Sequence, residues 1–150
     1  MNSLFLFLDL DGVIQFKAPG KPPEPGAIQL RNLRILTGAY DLPVVITSTW
    51  RIVHPLSWFR THINPNVVGM TPELEDTGPG TRQREVEAWL RRHAPGAEWI
   101  ALDDQEALYQ PNCSNLILCH PDKGLDSATL ARVIEYVEER LNRLTQSGCG

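Results

Sequence analysis

Four carboxylates in this chain occur as two close pairs, each at the end of an apolar segment. Asp9 and Asp11 follow the apolar run Leu4–Leu8 in "LFLFLDLDG", and Asp103 and Asp104 end the segment "WIALDD". A carboxylate at the end of a buried strand is costly to desolvate unless a cation compensates it. Because Mg²⁺ takes one or two carboxylates together with water and phosphate oxygens, the pairs favour a magnesium-dependent phosphoryl-transfer site.

A segment rich in hydroxyl groups supplies neutral ligands for such a site. "VVITSTW" places Thr47 and Ser48 directly after the apolar residues 44–46. In open α/β sheets, ligands bind outside the carboxyl ends of the strands, so we expect these hydroxyls and the four carboxylates at one edge of a sheet. A carboxylate whose charge is balanced by a metal can then act as a nucleophile and form an aspartyl-phosphate.

Apolar runs alternate with helical patterns along the chain, which is typical of a β/α fold with a parallel sheet. A loop rich in proline and glycine is expected at 17–26 and a polar loop at 71–80. The first helix is predicted to stop at Gly38, and Thr81 is predicted to cap the third. The predicted strands are 4–8, 44–46, 66–70, 98–104 and 115–120, and the main predicted helices are 27–36, 54–63, 81–92 and about 126–144. With about five helices in all, these elements predict a three-layer α/β/α sandwich around a five-stranded parallel sheet.

Length and composition are those of a single domain spanning residues 1–150, with 42 % hydrophobic and 21 % charged residues. The net charge of −4 lacks the basic excess that is typical of proteins binding duplex nucleic acid, although local basic groups can still bind a phosphate. No apolar stretch approaches the ~18 residues of a membrane span. The three cysteines, Cys113, Cys119 and Cys149, lack metal-ligand spacing, and no basic leader precedes the first strand. We therefore expect a cytoplasmic location and no membrane partner.

Three of these segments resemble known motifs. "FLFLDLDGVI", "VVIT" and "WIALDD" are similar, in this order, to the first, second and fourth motifs of the haloacid dehalogenase (HAD) superfamily. More narrowly, "ITSTWR", "TRQREVEAWL" and "WIALDD" resemble the HAD domains of Swiss Army Knife RNA repair proteins, which are capless, nucleotidase-like relatives. The resemblance covers most of the chain. It implies a HAD-like fold without a separate cap domain and Mg²⁺-dependent hydrolysis of phosphomonoesters through an aspartyl-phosphate.

The resemblance also implies roles for the acidic residues. Asp9 would be the nucleophile and a metal ligand. Asp11 would be the general acid for the leaving oxygen and then the base for water, with its backbone carbonyl on the metal. Asp103 and Asp104 would complete the magnesium site. The implied substrate is a phosphorylated small molecule, a nucleotide or a nucleic-acid end.

The remaining matched residues would bind the substrate. Thr47 would hydrogen-bond the transferring phosphoryl group, helped by the backbone amide of Ser48. Gly12, which ends the first motif, and Arg51, in "ITSTWR", are the other candidates for contact with phosphate or substrate. Of these, Arg51 is the one that also fits an ion pair behind the site.

The third motif departs from the superfamily, which usually has lysine there. This chain offers Arg82 and Arg84 in "GTRQRE", of which Arg82 is favoured, with Lys123 and Lys17 as further alternatives. Arginine keeps the charge but differs from lysine in geometry. A catalytically weak HAD-like module that binds metal and phosphate is therefore the alternative function. A signalling receiver domain is disfavoured because "NVVGMTPE" has no aspartate after the third strand.

Overall fold

The computed structural model describes residues 3–75 and 78–147, and it has an α/β fold. In chain order the elements are β1 (Leu4–Leu8), β2 (Gln15–Phe16), β3 (Glu24–Pro25), α1 (Ala27–Tyr40), β4 (Val44–Ile46), α2 (Leu56–His62), β5 (Val67–Met70), α3 (Thr81–His93), β6 (Glu98–Asp103), β7 (Leu116–Leu118) and α4 (Ser127–Ser147). Short 3-10 turns at Thr49–Ile52 and Glu106–Leu108 follow β4 and β6. The parallel sheet has the order β5-β4-β1-β6-β7, which confirms the predicted five-stranded parallel sheet.

Both faces of the central strand are covered, which explains why its sequence is apolar without alternation. Leu4, Leu6 and Leu8 of β1 pack in one cluster with residues of α1 and α4. Phe7 packs on the other face with Val86 and Trp89 of α3. The helices therefore lie on both sides of the sheet and make the predicted three layers.

The strand order reverses beside β1. The chain passes from β1 to β4 and β5 on one side, and returns to β6 and β7 on the other. Leu8 is level with Ile46 of β4 and with Leu102 of β6. The residues that follow these three strands therefore start at one level, at the point where an open α/β sheet binds its ligands.

The segment rich in proline and glycine, 17–26, contains β3 of a short antiparallel ribbon, and the other strand, β2, comes directly before it. The carbonyl of Leu10 accepts hydrogen bonds from the amides of Val13, Ile14 and Gln15, and this closes a tight turn after β1. The chain then forms β2 and β3, which pair Gln15 with Pro25 and Phe16 with Glu24.

The predicted end of the first helix and the predicted cap of the third are wrong. Helix α1 continues through Gly38 to Tyr40 and ends at Asp41, which adopts a left-handed conformation with φ 51°. The N-cap of α3 is Gly80, and Thr81 is the first helical residue, with its hydroxyl donating to the carbonyl of Gly78. In both cases packing and backbone geometry set the boundary, and the local residue preference did not.

Other expectations concern single features. Residues 71–75 and 78–80 contain neither helix nor strand, as predicted, while residues 76–77 of that loop lie outside the described part. Cys113 and Cys119 are free thiols, and Cys149 lies outside the described residues. Within 3–75 and 78–147, no helix combines the length and apolar character needed to cross a membrane.

Replacing Gly38 by alanine is expected to stabilise the protein by about 0.5 kcal/mol, because glycine is a poor helix former. An added Cβ at this position meets nothing within 4 Å. Urea denaturation followed by circular dichroism measures the change. Gly20→Ala is the matched control, since its Cβ is equally unhindered but its φ is +74°. The Gly20→Ala variant is expected to lose about 1 kcal/mol of unfolding free energy. Equal changes at the two positions would contradict the placement of Gly38 inside α1.

Candidate active site

Three polar side chains are buried at the carboxyl edge of the sheet. Asp9, Thr47 and Asp103 come at the ends of β1, β4 and β6, and they are 4 %, 0 % and 0 % exposed. The strand ladder continues through them, because the amide of Asp9 donates to Leu102 and the amide of Thr47 donates to Leu8. Their level in the sheet is therefore set by backbone register. Buried carboxylates at this place are a feature of functional sites.

The structure brings three of the predicted metal ligands together. One carboxylate oxygen from each of Asp9, Asp103 and Asp104 lies within 4.8 Å of the others. Oδ1 of Asp104 is buried and has no hydrogen-bond partner among the described residues. Hard carboxylate oxygens, one of them unsatisfied, fit Mg²⁺. The carboxylate of Asp11 lies outside this group.

Arg82 supplies the cation that faces the carboxylates. Its Nη1 lies 3.3 Å from Oδ1 of Asp9 and 2.9 Å from Oδ2 of Asp103. Arg84, one turn away from the helix start, donates instead to the carbonyl of Pro79 and the hydroxyl of Thr81. The geometry therefore puts Arg82, rather than Arg84, where a third-motif cation would act.

The surroundings of this cluster disfavour the ionised forms of Asp9 and Asp104. Burial raises the pKa of Asp9 well above its usual value, and the neighbouring charge of Asp103 raises it further, while Arg82 opposes both. Burial and Asp103 also raise the pKa of Asp104. Burial alone would lower the pKa of Arg82, but the carboxylates of Asp103 and Asp9 produce a net increase. A divalent cation would relieve this repulsion.

Asp103 is held in place by three donors. Besides Arg82, the hydroxyl of Tyr109 lies 3.4 Å from Oδ2, and the amide of Gln105 donates to Oδ1 at 3.0 Å. Burial and the charge of Asp103 raise the pKa of Tyr109 well above its usual value, so the phenol remains a donor. Tyr109 has no motif in the sequence and is found only from the folded contacts.

Asp11 occupies a different environment from Asp9. It is exposed, and its two oxygens accept hydrogen bonds from neutral side chains: Nε2 of Gln15 at 2.8 Å and Nε1 of Trp50 at 3.2 Å. The tight turn after β1 brings Gln15 back to Asp11. These contacts orient the carboxyl group at the solvent side of the site, where a donor of protons to a leaving group would lie.

Gly12 allows the first motif to approach the fourth. Its φ is +79°, and a Cβ built there would overlap Oδ2 and Cγ of Asp104. A larger residue would be strained and would push Asp104 away from the cluster. The predicted role of Gly12 in binding phosphate has no contact in the structure to test it.

Arg51 lies behind the site, and its donors are used within the protein. Nη1 donates to the carbonyls of Thr47 at 2.6 Å and Ser48 at 2.9 Å, and Nε donates to Thr71. Nη2 forms a buried ion pair with Glu85 at 3.0 Å. These contacts fit the ion pair that the sequence also predicted for Arg51, and they support the backbone of Thr47 and Ser48.

The two hydroxyl side chains after β4 differ in their partners. Oγ1 of Thr47 is buried without a hydrogen-bond partner in the described part of the chain, and so is Nε of Arg82. Buried donors without a partner are unusual, and these two can donate to a bound ligand. Oγ of Ser48 accepts from the amide of Trp50 and caps the following 3-10 turn.

An open cavity of about 360 Å³ adjoins the carboxylates. Of the alternative cations, Lys17 lines this cavity and Lys123 does not. The lining residues are Asp11, Gly12, Gln15, Phe16, Lys17, Pro23, Asp104, Pro121 and Asp122. Its volume is within the range of small-molecule sites.

A Rossmann-like parallel sheet with clustered aspartates at its switch point is typical of HAD-type phosphohydrolases and related modules. The chain belongs to the family described as the HAD domain in Swiss Army Knife RNA repair proteins, whose model matches residues 5–130. This confirms the resemblance seen in the motifs. A search of curated proteins finds no match.

Asp9→Asn is expected to stabilise the metal-free protein and to abolish stabilisation by Mg²⁺. The raised pKa of Asp9 means that the folded state binds this proton more tightly than the unfolded state does. Its contribution to stability is therefore present at acid pH and is lost as pH rises above about 4 towards the raised pKa. Thermal unfolding in chelator should show the advantage of Asp9→Asn growing with pH. In wild type, Mg²⁺ at about a hundred times its dissociation constant should add about 2.7 kcal/mol. An equal Mg²⁺ effect in both proteins would contradict the proposed cluster.

Arg51→Met is expected to lower the free energy of unfolding by about 3 kcal/mol, because it leaves Glu85 buried without its partner. Urea denaturation measures the loss. Arg31→Met, at an exposed arginine of α1, is the control and should change little. The double variant Arg51→Met/Glu85→Leu should recover part of the loss. A loss no larger than that of the control would show that the ion pair is not structural.

Proposed function

We propose that this domain hydrolyses phosphomonoesters in a Mg²⁺-dependent reaction through an aspartyl-phosphate on Asp9. The observation that carries the proposal is the buried Asp9 carboxylate, which lies 3.3 Å from Arg82 and within 4.8 Å of oxygens from Asp103 and Asp104. Such a costly cluster needs a compensating ligand. The unpartnered hydroxyl of Thr47 and Nε of Arg82 are donors suited to phosphoryl oxygens.

In the first step, an oxygen of Asp9 attacks phosphorus while the bond to the leaving oxygen breaks. Asp11 gives its proton to that oxygen, and the alcohol leaves. In the second step, water attacks the phosphorus of the aspartyl-phosphate, and Asp11 takes the proton from this water. Free phosphate leaves and Asp9 is regenerated.

The protein groups around Asp9 stabilise the charge that develops on the phosphoryl oxygens. Thr47 and the amide of Ser48 hydrogen-bond these oxygens, and Arg82 balances their charge against that of the carboxylates. Asp9, Asp103 and Asp104, with the carbonyl of Asp11, would hold Mg²⁺. When bound, the ion polarises the phosphoryl group and neutralises the carboxylates.

We propose a nucleotide or a nucleic-acid end as the substrate. The open cavity beside Asp11 and Asp104 leaves room for a bulky leaving group. The family description refers to RNA repair proteins, which supports the same class of substrate. The net charge of −4 is unfavourable to wide contact with duplex nucleic acid. Because cysteine spacing indicates a reducing compartment, we propose a cytoplasmic location.

The alternative is a module that binds metal and phosphate but turns over poorly. One observation favours it: Arg82 is paired with both Asp9 and Asp103, so the guanidinium competes with metal and substrate for the nucleophile. Unlike lysine, arginine cannot give up its proton to relieve this pairing.

Wild-type protein is expected to release phosphate from nucleotides and phosphorylated oligonucleotides in the presence of Mg²⁺, and chelator should stop it. Asp9→Asn should lower turnover by about a thousand-fold or more, since the nucleophile is lost. Phosphate release on a panel that also includes a generic aryl phosphate measures both. Mg²⁺ and phosphate binding without turnover would favour the accessory module.

The two neighbouring arginines provide a matched pair for the same assay. Arg82→Ala should reduce turnover by about 10²–10³-fold, as for the loss of a charge-stabilising donor. Arg84→Ala should reduce it far less. Equal losses would reject Arg82 as the third-motif cation, and if neither variant loses activity, Lys17 or Lys123 takes that role.

A further inference from the structure

Four aromatic side chains lie at intervals of four residues beside the site: Trp50, His54, Trp58 and His62, here named the ring row. Its rings are nearly parallel, with interplanar angles of 12°, 9° and 21° between successive members. The corresponding centroid distances are 5.4, 4.0 and 4.6 Å. The row runs from the 3-10 turn after β4 along α2.

Trp50 has a different position in the row from Trp58. Trp58 stacks with His54 and with His62. The centroids of Trp50 and Trp58 are only 6.1 Å apart, which is shorter than a linear stack of three rings would give. Trp50 therefore lies beside the His54–Trp58 pair and is not enclosed between two rings of the row.

The ring row begins at the proposed proton donor. Nε1 of Trp50 donates to Oδ2 of Asp11 at 3.2 Å. In the proposed reaction Asp11 gives its proton to the leaving oxygen, so the group attached to that oxygen emerges next to the indole. A leaving group with a flat face can then stack on it.

Core packing does not enclose the ring row, although Trp50 and Trp58 pack against the main core cluster. Trp50, His54 and Trp58 are half-buried and His62 is exposed, unlike the enclosed aromatic residues Phe7, Phe59 and Tyr109. The adjoining Ile52 and Val53 are 58 % and 69 % exposed. An apolar, aromatic surface is thus open to solvent next to Asp11, at the edge of the carboxylate site.

We propose that the ring row binds the nucleobase of the substrate, with Trp50 as the first stacking residue. Proteins hold unpaired bases by stacking them on aromatic and histidine rings, and this contact tolerates any base sequence. A sugar phosphate without a base, or an aliphatic phosphoamino acid, has no flat face to place there. The substrate class is therefore a phosphorylated nucleotide or an unpaired nucleic-acid end. This inference rests on the proposed phosphatase function.

Base-containing and base-free substrates separate the proposal from a merely structural role. We compare kcat/KM for a 5′-phosphorylated dinucleotide and its 3′-phosphorylated isomer with kcat/KM for ribose 5-phosphate. Wild type should prefer at least one dinucleotide, and Trp50→Leu should reduce that preference by about tenfold or more. Trp50→Phe keeps a ring but loses the N–H bond to Asp11, so it should slow all three substrates and keep most of the preference.

Ile35→Ala is the matched control, because it removes an exposed apolar side chain on α1, which is 47 % exposed. It should leave the preference unchanged. An unchanged preference in a folded Trp50→Leu protein would overturn the base-binding role. So would faster turnover of a phosphoserine peptide than of either dinucleotide.

A binding experiment keeps the test independent of turnover and of folding defects in the Trp50 variants. Wild-type protein in chelator, which stops turnover, is titrated with each dinucleotide and with ribose 5-phosphate, and tryptophan fluorescence is recorded. The dinucleotides should quench it and ribose 5-phosphate should not. Quenching without turnover in wild type would reject the phosphatase and retain the base site. Turnover of all substrates without a preference and without quenching would retain the phosphatase and reject the base site.

Discussion

The ion pairs of Arg82 with Asp9 and Asp103 are the interaction on which this site depends. Two carboxylates that are almost completely buried would repel each other and lose their hydration, and a single guanidinium at 3.3 and 2.9 Å makes their burial tolerable. The compensation is incomplete, because the pKa of Asp9 remains well above its usual value. Sites that bind a divalent cation or develop charge in a transition state are built with this kind of residual imbalance. The folded protein tolerates the cluster, and a bound cation would compensate the remaining negative charge.

The sheet turns this electrostatic arrangement into a fixed geometry. Asp9, Thr47 and Asp103 are each the residue that the ladder of β1, β4 and β6 brings to one level. Arg51, paired with Glu85, then holds the backbone after β4 by donating hydrogen bonds to the carbonyls of Thr47 and Ser48. Arg51, for which the sequence predicted either contact with the substrate or an ion pair, thus supports this backbone, and its charge is satisfied by the buried Glu85.

The two aspartates of the first motif are separated by one residue and have opposite surroundings. Asp9 is buried beside Arg82, whereas Asp11 is exposed and accepts hydrogen bonds from Gln15 and Trp50. The turn on the carbonyl of Leu10 produces this division. It gives one buried carboxylate, the proposed nucleophile, and one solvent-facing carboxylate, the proposed proton donor, and it connects the second to Trp50 at the start of the ring row. In the proposed reaction, proton transfer and recognition of the leaving group would therefore meet at Asp11.

The amino-acid sequence by itself determined the α/β class, the five strands and the acids at their ends, because buried parallel strands read as apolar runs and a polar strand end is conspicuous against them. Gly38 was wrong as the end of α1 and Thr81 was wrong as the cap of α3, since a local preference of under about 1 kcal/mol yields to tertiary packing. Only the tertiary structure showed Arg82 in contact with Asp9 and Asp103 and Arg84 turned away from them, because residues two positions apart point in different directions on a helix. It alone revealed Tyr109 against Asp103, the ion pair of Arg51 with Glu85, and the indole of Trp50 on Asp11, because each joins residues whose proximity depends on how the chain folds and no sequence spacing encodes it.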